Sequence, residues 1–224
     1  MKRVDINVDM GEGFAFDDEL LHIATSANVC CGAHAGSPEL TMQTVEKCRR
    51  LGVRVGAHPG VPDRENMGRL PLVLEGDDDA EALLQSLRGQ MRLASWDYVK
   101  AHGALYNACA VPGRPADVME ALLREFPLPA MAMPGTRLEE VVSGLGSDLI
   151  REGFADRRYT ERGTLAPRSE PGSVLSDPSE IAAQVVRLAA RVDSICIHGD
   201  SPGCVEIAAL VRETLVANGY GVGP

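Results

Sequence analysis

The feature that most constrains this chain is a repeated alternation. Short β-branched or apolar runs are followed by turns rich in Gly, His and Asp, and then by amphipathic helical stretches. Candidate strands are Val4–Asp9, Ala27–Cys31, Arg54–Ala57, Tyr98–Ala101, Pro129–Met133, Asp148–Arg151 and Ser194–His198. Helical periodicity covers Pro38–Leu51, Asp79–Ala94, Pro115–Glu125, Pro178–Arg191 and Pro202–Asn218. Ser37 before Pro38 and Asp177 before Pro178 pair a capping side chain with a proline at the first helical position. Gly52 after Leu51 and Gly219 after Asn218 read as helix stops. Strands separated by helices pair in parallel through right-handed crossovers. Seven such units in 224 residues predict an α/β fold, a closed or nearly closed (β/α) barrel, with a doubly wound open sheet as the alternative. The aperiodic run Glu161–Asp177 reads as a long loop, and loops of that length are usually functional or mobile. Asp77-Asp78-Asp79 reads as a solvated helix entry, and His22 as a surface or core-edge residue within a helix. No second domain is signalled, so residues 1–224 are expected to form one.

Charge and composition remove several classes of function. The formal net charge is −10 and no Lys/Arg run forms a basic stripe, so no nucleic-acid partner is expected. An acidic surface also disfavours anionic membranes, and no apolar run approaches a membrane span. Met1–Asp5 runs into a strand pattern without the apolar segment of a signal peptide, which points to the cytoplasm. The six cysteines are irregularly spaced and include no C-x-x-C pair, so they are expected as buried thiols. Homo-oligomers are compatible with all of this.

The candidate chemistry lies at the ends of the strands. His34, His58, His102 and His198 each follow a predicted strand, beside or within two residues of a glycine. Sites in barrels and open α/β sheets form at the carboxyl ends of strands. Acids and bases arrive at the same end: Asp9 and Glu12 after the first strand, Asp63 after the third, Glu152, Asp156 and Arg157 after the sixth, Asp200 after the seventh. Lys100 ends the fourth strand two residues before His102, and a lysine there must be paired or have a depressed pKa. The G-x-S-x-G elbow and the H-E-x-x-H pair are absent. So is the G-x-x-x-x-G-K-[ST] loop, so any use of ATP must rely on another device or another chain.

Several of these segments match one family in order along nearly the whole chain. Asn7–Glu12 (NVDMGE), Ser26–Gly36 (SANVCCGAHAG), Gly56–Asp63 (GAHPGVPD) and Val99–Asn107 (VKAHGALYN) resemble the signatures of LamB/YcsF proteins. Phe154–Tyr159, Leu165–Arg168 and Cys196–Asp200 extend the likeness. Departures are Ala101 for a usual Pro, Ala33 for a common aromatic, Ser37 for a common Asp, and Met67 and Leu70 within Asn66–Leu70. The resemblance implies a distorted seven-stranded (β/α) barrel of the glycoside hydrolase/deacetylase type. It implies ATP-dependent opening of 5-oxoproline to L-glutamate, shared with partner subunits B and C. A five-membered lactam has a poor electrophile for a carbonyl, and phosphorylating its oxygen supplies the missing activation.

The expected catalytic set is Asp9, Glu12, His58, Lys100, His102 and His198. Asp9, His58 or His198 would serve as general base, and Lys100 with His102 would stabilise the oxyanion. The expected substrate-binding set is Asn28, His34, Asp63, Tyr106, Asn107, Glu152, Asp156, Arg157 and Asp200. Arg157 would take the substrate carboxylate or a phosphate bidentately. ATP is the expected co-substrate, handled with the partner subunits, and no metal ligand is assigned. A rival reading, a stand-alone metal-dependent deacetylase or amidohydrolase, calls for a divalent metal on an Asp-plus-two-His set. A third is a non-catalytic subunit that binds a lactam or carbohydrate.

Overall fold

The computed structural model describes residues 1–161, 163–200 and 203–224. Its strands are β1 (Arg3–Met10), β2 (Ser26–Cys30), β3 (Arg54–His58), β4 (Tyr98–Val99), β5 (Ala130–Ala132), β6 (Leu149–Phe154), β7 (Ser194–Ile197) and β8 (Gly221–Val222). Its helices are α1 (Asp17–Leu21), α2 (Pro38–Leu51), α3 (Asp77–Met91), α4 (Gly103–Ala108), α5 (Arg114–Glu125), α6 (Arg137–Gly144), α7 (Pro178–Ala189) and α8 (Cys204–Ala217). Strands β1 to β7 pair in parallel in sequence order, and β1 closes the ring by bonding both β2 and β7. The result is the closed seven-stranded barrel that the alternation predicts, not the open sheet. Strand β8 adds a short parallel pairing to the start of β1, a strand the sequence reading did not contain.

Period-two alternation separates two buried faces. Along β1, Val4, Ile6, Val8 and Met10 join the apolar layer shared with the helices. Asp5, Asn7 and Asp9 alternate with them and turn into the barrel. The lumen is therefore polar along part of its length. Asp5 Oδ1 accepts from the hydroxyls of Thr25 and Ser26, and Asp5 Oδ2 accepts from Ser194 at 2.5 Å, which ties β1 to β2 and β7. Asn28 Nδ2 donates to both Asn7 and Asp9 at 2.7 Å, and Tyr98 Oη donates to Asn28 Oδ1 at 2.7 Å. Tyr98 fits only because Gly56 faces it: a Cβ there would lie 2.2 Å from the ring. No helix among the described residues is long and apolar enough to cross a membrane.

Helix α2 has the expected limits, with Ser37 Oγ accepting from Leu40 N and Gly52 in the left-handed region. Helix α3 starts at Asp77, two residues before the expected start, because Asp79 is its N3 capping residue and accepts from the backbone of Glu75 and Gly76. It also ends at Met91 rather than Ala94. Strand β4 is shorter than expected; Lys100 and His102 lie beyond it, their N–H groups held by the carbonyls of Ala57 and Pro59. Strand β6 is longer than expected, so Glu152 lies within it and faces the lumen. His22 is the exposed C-cap of the five-residue helix α1. The short helices α4 and α6 were not anticipated, since neither spans enough turns to show a period. The expected helix start at Pro202 lies outside the described residues, as does Arg162 of the long loop; α8 is described from Cys204.

Candidate functional site

At the carboxyl ends of the barrel strands opens a cavity of about 710 Å³. Asp9, His58, Lys100, His102, Tyr106, Asn107, Arg157 and His198 line it, together with Arg69, Phe154, Arg168 and the loop segment Thr164–Ser169. The residues anticipated from five strand ends thus meet in one place. Asn28, His34, Glu12, Glu152, Asp156 and Asp200 stand behind or beside this lining and contact it. Asp63 is set apart: its carboxylate accepts from Asn66 N and Nδ2, closing a turn after β3.

Lys100 is the hub of the inner part. Its ammonium lies 2.8 Å from Glu152 Oε1, 3.1 Å from Asp9 Oδ1, 3.1 Å from Asn7 Oδ1 and 3.0 Å from Cys196 Sγ. Burial opposes its charge, but Asp9, Cys196 and Glu152 outweigh burial and hold the ammonium well above its ordinary pKa. The reciprocal holds for Asp9: burial opposes ionisation, yet Lys100 and His58 keep the carboxyl well below its ordinary value. The ammonium's hydrogens face the protein acceptors Asn7 Oδ1, Asp9 Oδ1 and Cys196 Sγ.

The imidazoles form a second cluster. His58 Nδ1 meets Lys100 O at 2.8 Å, and His102 Nε2 meets Met67 O at 2.8 Å. A carbonyl can only accept, so both nitrogens carry hydrogen. His34 stacks on His102, with ring centroids 3.7 Å apart and planes within 3°. Burial, then the neighbouring rings of His58 and His34, lower the pKa of His102 well below the ordinary imidazole value. Met67 reaches its place through a left-handed backbone (φ 53°), and Gly68 follows at φ 61°, where a Cβ would lie a tight 3.1 Å from His34 and 3.3 Å from His102.

On a third side, His198 Nδ1 lies 2.9 and 3.0 Å from the two oxygens of Asp156, whose carboxylate also accepts the His198 backbone N–H at 3.1 Å. Burial disfavours the Asp156 anion, but His198 outweighs it and lowers the pKa. Arg157 is buried; its Nη2 donates to Ala166 O at 2.6 Å and its Nε to Ser173 O at 3.4 Å. Asp200 accepts bidentately from Arg168 at 2.9 and 3.0 Å and from Arg69 at 2.5 Å. Burial resists its ionisation, but the two guanidiniums hold its pKa at about 2.

The sequence reading assigned no site role to Arg69, Arg168, Asn7, Phe154 or Cys196. All five stood in segments compared with the family signatures, which was the available signal: Asn7–Glu12, Asn66–Leu70, Phe154–Tyr159, Leu165–Arg168 and Cys196–Asp200. Asn7 and Cys196 were legible as strand residues, but their inward direction was not. Among the described residues, two groups of donors are close enough to hold a metal: Asp9 with Cys196 and His198, and Glu12 with His58 and His102. In the first group Asp9 Oδ1 and Cys196 Sγ already face the Lys100 ammonium, and His198 Nδ1 faces Asp156. The six cysteines are free and buried, and burial pushes the Cys30 thiol up to about 12.

Comparison with known proteins gives these observations a context. The family model "LamB/YcsF family" matches residues 4–224. The 5-oxoprolinase A subunit of Neisseria meningitidis serogroup C is 39% identical over 99% of both chains. That of Pyrococcus furiosus is 36% identical over 99% of this chain and 97% of its own. A solved structure, the lactam utilization protein from Thermus thermophilus, superposes with a TM-score of 0.85 at 33% identity, covering 99% of each chain. A GH113 β-1,4-mannanase (TM-score 0.58, 11% identity) and the peptidoglycan deacetylase PdaC of Bacillus subtilis (0.54, 13%) share the barrel alone.

Proposed function

The chain belongs to the LamB/YcsF family, and from that premise we propose that it is the A component of a 5-oxoprolinase, a hydrolase that opens the lactam of 5-oxo-L-proline to L-glutamate. The opening is coupled to ATP cleavage and shared with B and C subunits. The observation that carries the reading is that one cavity is lined both by guanidinium groups and by an oriented imidazole. The substrate has two matching features, a carboxylate and a ring amide.

Arg157 takes the carboxylate, its guanidinium already held in place by Ala166 O and Ser173 O. His198 is the general base: Nδ1–H is donated to Asp156, which leaves the other ring nitrogen unprotonated to accept from water. Asp156 is a positioning residue. Tyr106 keeps its proton, because burial and then the Glu152 charge raise its pKa well above the ordinary value, and so it is a neutral donor at the cavity wall. In the reaction, the lactam oxygen takes the γ-phosphoryl group of ATP and ADP leaves. Water adds to the activated carbon, and the C–N bond breaks with a proton going to nitrogen. A second water cleaves the resulting acyl phosphate to phosphate and L-glutamate. The cavity far exceeds a nine-atom lactam, which leaves room for a phosphoryl group or a partner's segment.

Mixing the chain with B and C subunits, ATP and ¹³C-labelled 5-oxoproline tests the reading by NMR. Labelled glutamate is expected from the full mixture only. Glutamate formed by the chain alone without ATP would replace this reading with the stand-alone amidohydrolase, which the Glu12, His58 and His102 donor group favours.

A further inference from the structure

We propose that Glu12, His58 and His102 bind one divalent transition-metal ion of the zinc type. With Nδ1–H of His58 committed to Lys100 O and Nε2–H of His102 committed to Met67 O, the remaining nitrogens are His58 Nε2 and His102 Nδ1. These two stand 3.0 Å apart. In neutral rings both are acceptors, and two acceptors at that separation repel unless a positive centre joins them.

The surroundings add two carboxylates, and among the described residues only the His34 ring, its Nε2 3.5 Å from Glu12 Oε1, stands near enough to offer Glu12 a hydrogen. Glu12 Oε1 lies 3.7 Å from His102 Nδ1 and 3.5 Å from His34 Nε2, and it is buried without a hydrogen-bond partner among the described residues. Asp9 Oδ2 lies 3.6 Å from His58 Nε2. Lys100 does not fill the gap, since its bond to Asp9 is to the other oxygen, Oδ1. A buried carboxylate and two buried imidazoles converging on one point are costly unless a cation is there.

Two imidazoles and one carboxylate form a common set for zinc at sites that keep a fourth position open. Nitrogens about 2.0–2.1 Å from such an ion at the tetrahedral angle stand about 3.3 Å apart, so the pair would open by a few tenths of an ångström. His58 and His102 line the cavity, which leaves the fourth position facing it. The partners behind the ligands are those that fix metal-binding imidazoles elsewhere: each ring donates its other N–H to a backbone carbonyl, and His34 stacks on His102 to set its plane. This inference does not depend on the lactam reading, because binding is measured without substrate.

The test is titration of the chelator-stripped full chain with Zn²⁺ by calorimetry and with Co²⁺ by visible absorption. One equivalent should bind, with the d–d bands of a low-coordinate cobalt site. His58→Ala and Glu12→Gln should each weaken binding by at least the roughly 100-fold that loss of even an outer partner can cost, while His198→Ala should bind as wild type. If a variant fails to fold, ¹⁵N-histidine spectra of wild type decide the matter, with zinc expected to shift His58 Nε2 and His102 Nδ1. The proposal is overturned if wild type binds less than one equivalent, or if binding is lost in His198→Ala and kept in His58→Ala. It is also overturned if those two nitrogens do not respond to zinc and only share a proton.

Discussion

Asp156 does not line the cavity, yet both of its oxygens reach His198 Nδ1. That geometry selects one tautomer and one ring orientation. In Asp156→Asn the amide can present N–H to the ring and favour the opposite tautomer. The expected result is a fall in kcat of about 10²–10⁴-fold, the span of general acid–base catalysis, with KM little changed and the pH profile displaced. A loss confined to KM would contradict the positioning role. Asp200 tests electrostatics at the same scale. Its folded pKa of about 2 lies below the ordinary carboxylate value, so its ion pairs stabilise the fold in full above about pH 4. That contribution is lost as pH falls from about 4 toward 2. Urea unfolding should therefore show wild type ahead of Asp200→Asn at pH 5, with the gap closing by pH 2. A gap unchanged across that window would refute the assignment.

At the scale of elements, two helices hold the rim of the cavity through glutamine side chains. Gln90 of α3 closes a two-way amide contact with Gly60, its Oε1 accepting from Gly60 N and its Nε2 donating to Gly60 O, both at 2.9 Å. Gln184 of α7 donates to the carbonyls of Phe154, Ala155 and Arg157 at 2.7, 3.1 and 2.7 Å. Each fixes the backbone just after a strand, where His58 ends β3 and Arg157 follows β6. Gln90→Leu and Gln184→Met keep the volume but leave buried backbone groups unpaired. Each should cost about 2–4 kcal/mol in urea unfolding and lower kcat as the rim loosens. Wild-type stability in both variants would show that the loops hold themselves. Neither glutamine was legible from sequence, since a buried amide and a surface amide look alike within an amphipathic helix.

Over the whole molecule, closure of the barrel and its polar lumen set the site. The seam between β7, β1 and β2 carries Asp5 with the hydroxyls of Thr25, Ser26 and Ser194. Asp5→Leu would take the acceptor from all three hydroxyls, and a loss of about 3 kcal/mol or more in urea unfolding is expected; no loss would mean that apolar packing alone closes the ring. Barrel and rim were legible because the alternation of periods is a local signal repeated seven times, and because His58, His102 and His198 each lie within two residues of a glycine at a strand end. Arg69 was not legible, because its partner Asp200 lies 131 residues away and no local pattern encodes that contact. The four partners of Lys100 were hidden for the same reason, although a buried lysine already demanded partners.

The most direct measurement is the rate of L-glutamate release from 5-oxoproline and ATP by the chain reconstituted with B and C subunits, for wild type, His198→Gln and His22→Gln. His22 is exposed at the end of α1, outside the lining of the carboxyl-end cavity, and serves as the control. Release by wild type, an unchanged rate in His22→Gln, and a loss of about 10²-fold or more in His198→Gln are expected. A wild-type rate in His198→Gln, or no glutamate from the intact wild-type mixture, would contradict the proposed function.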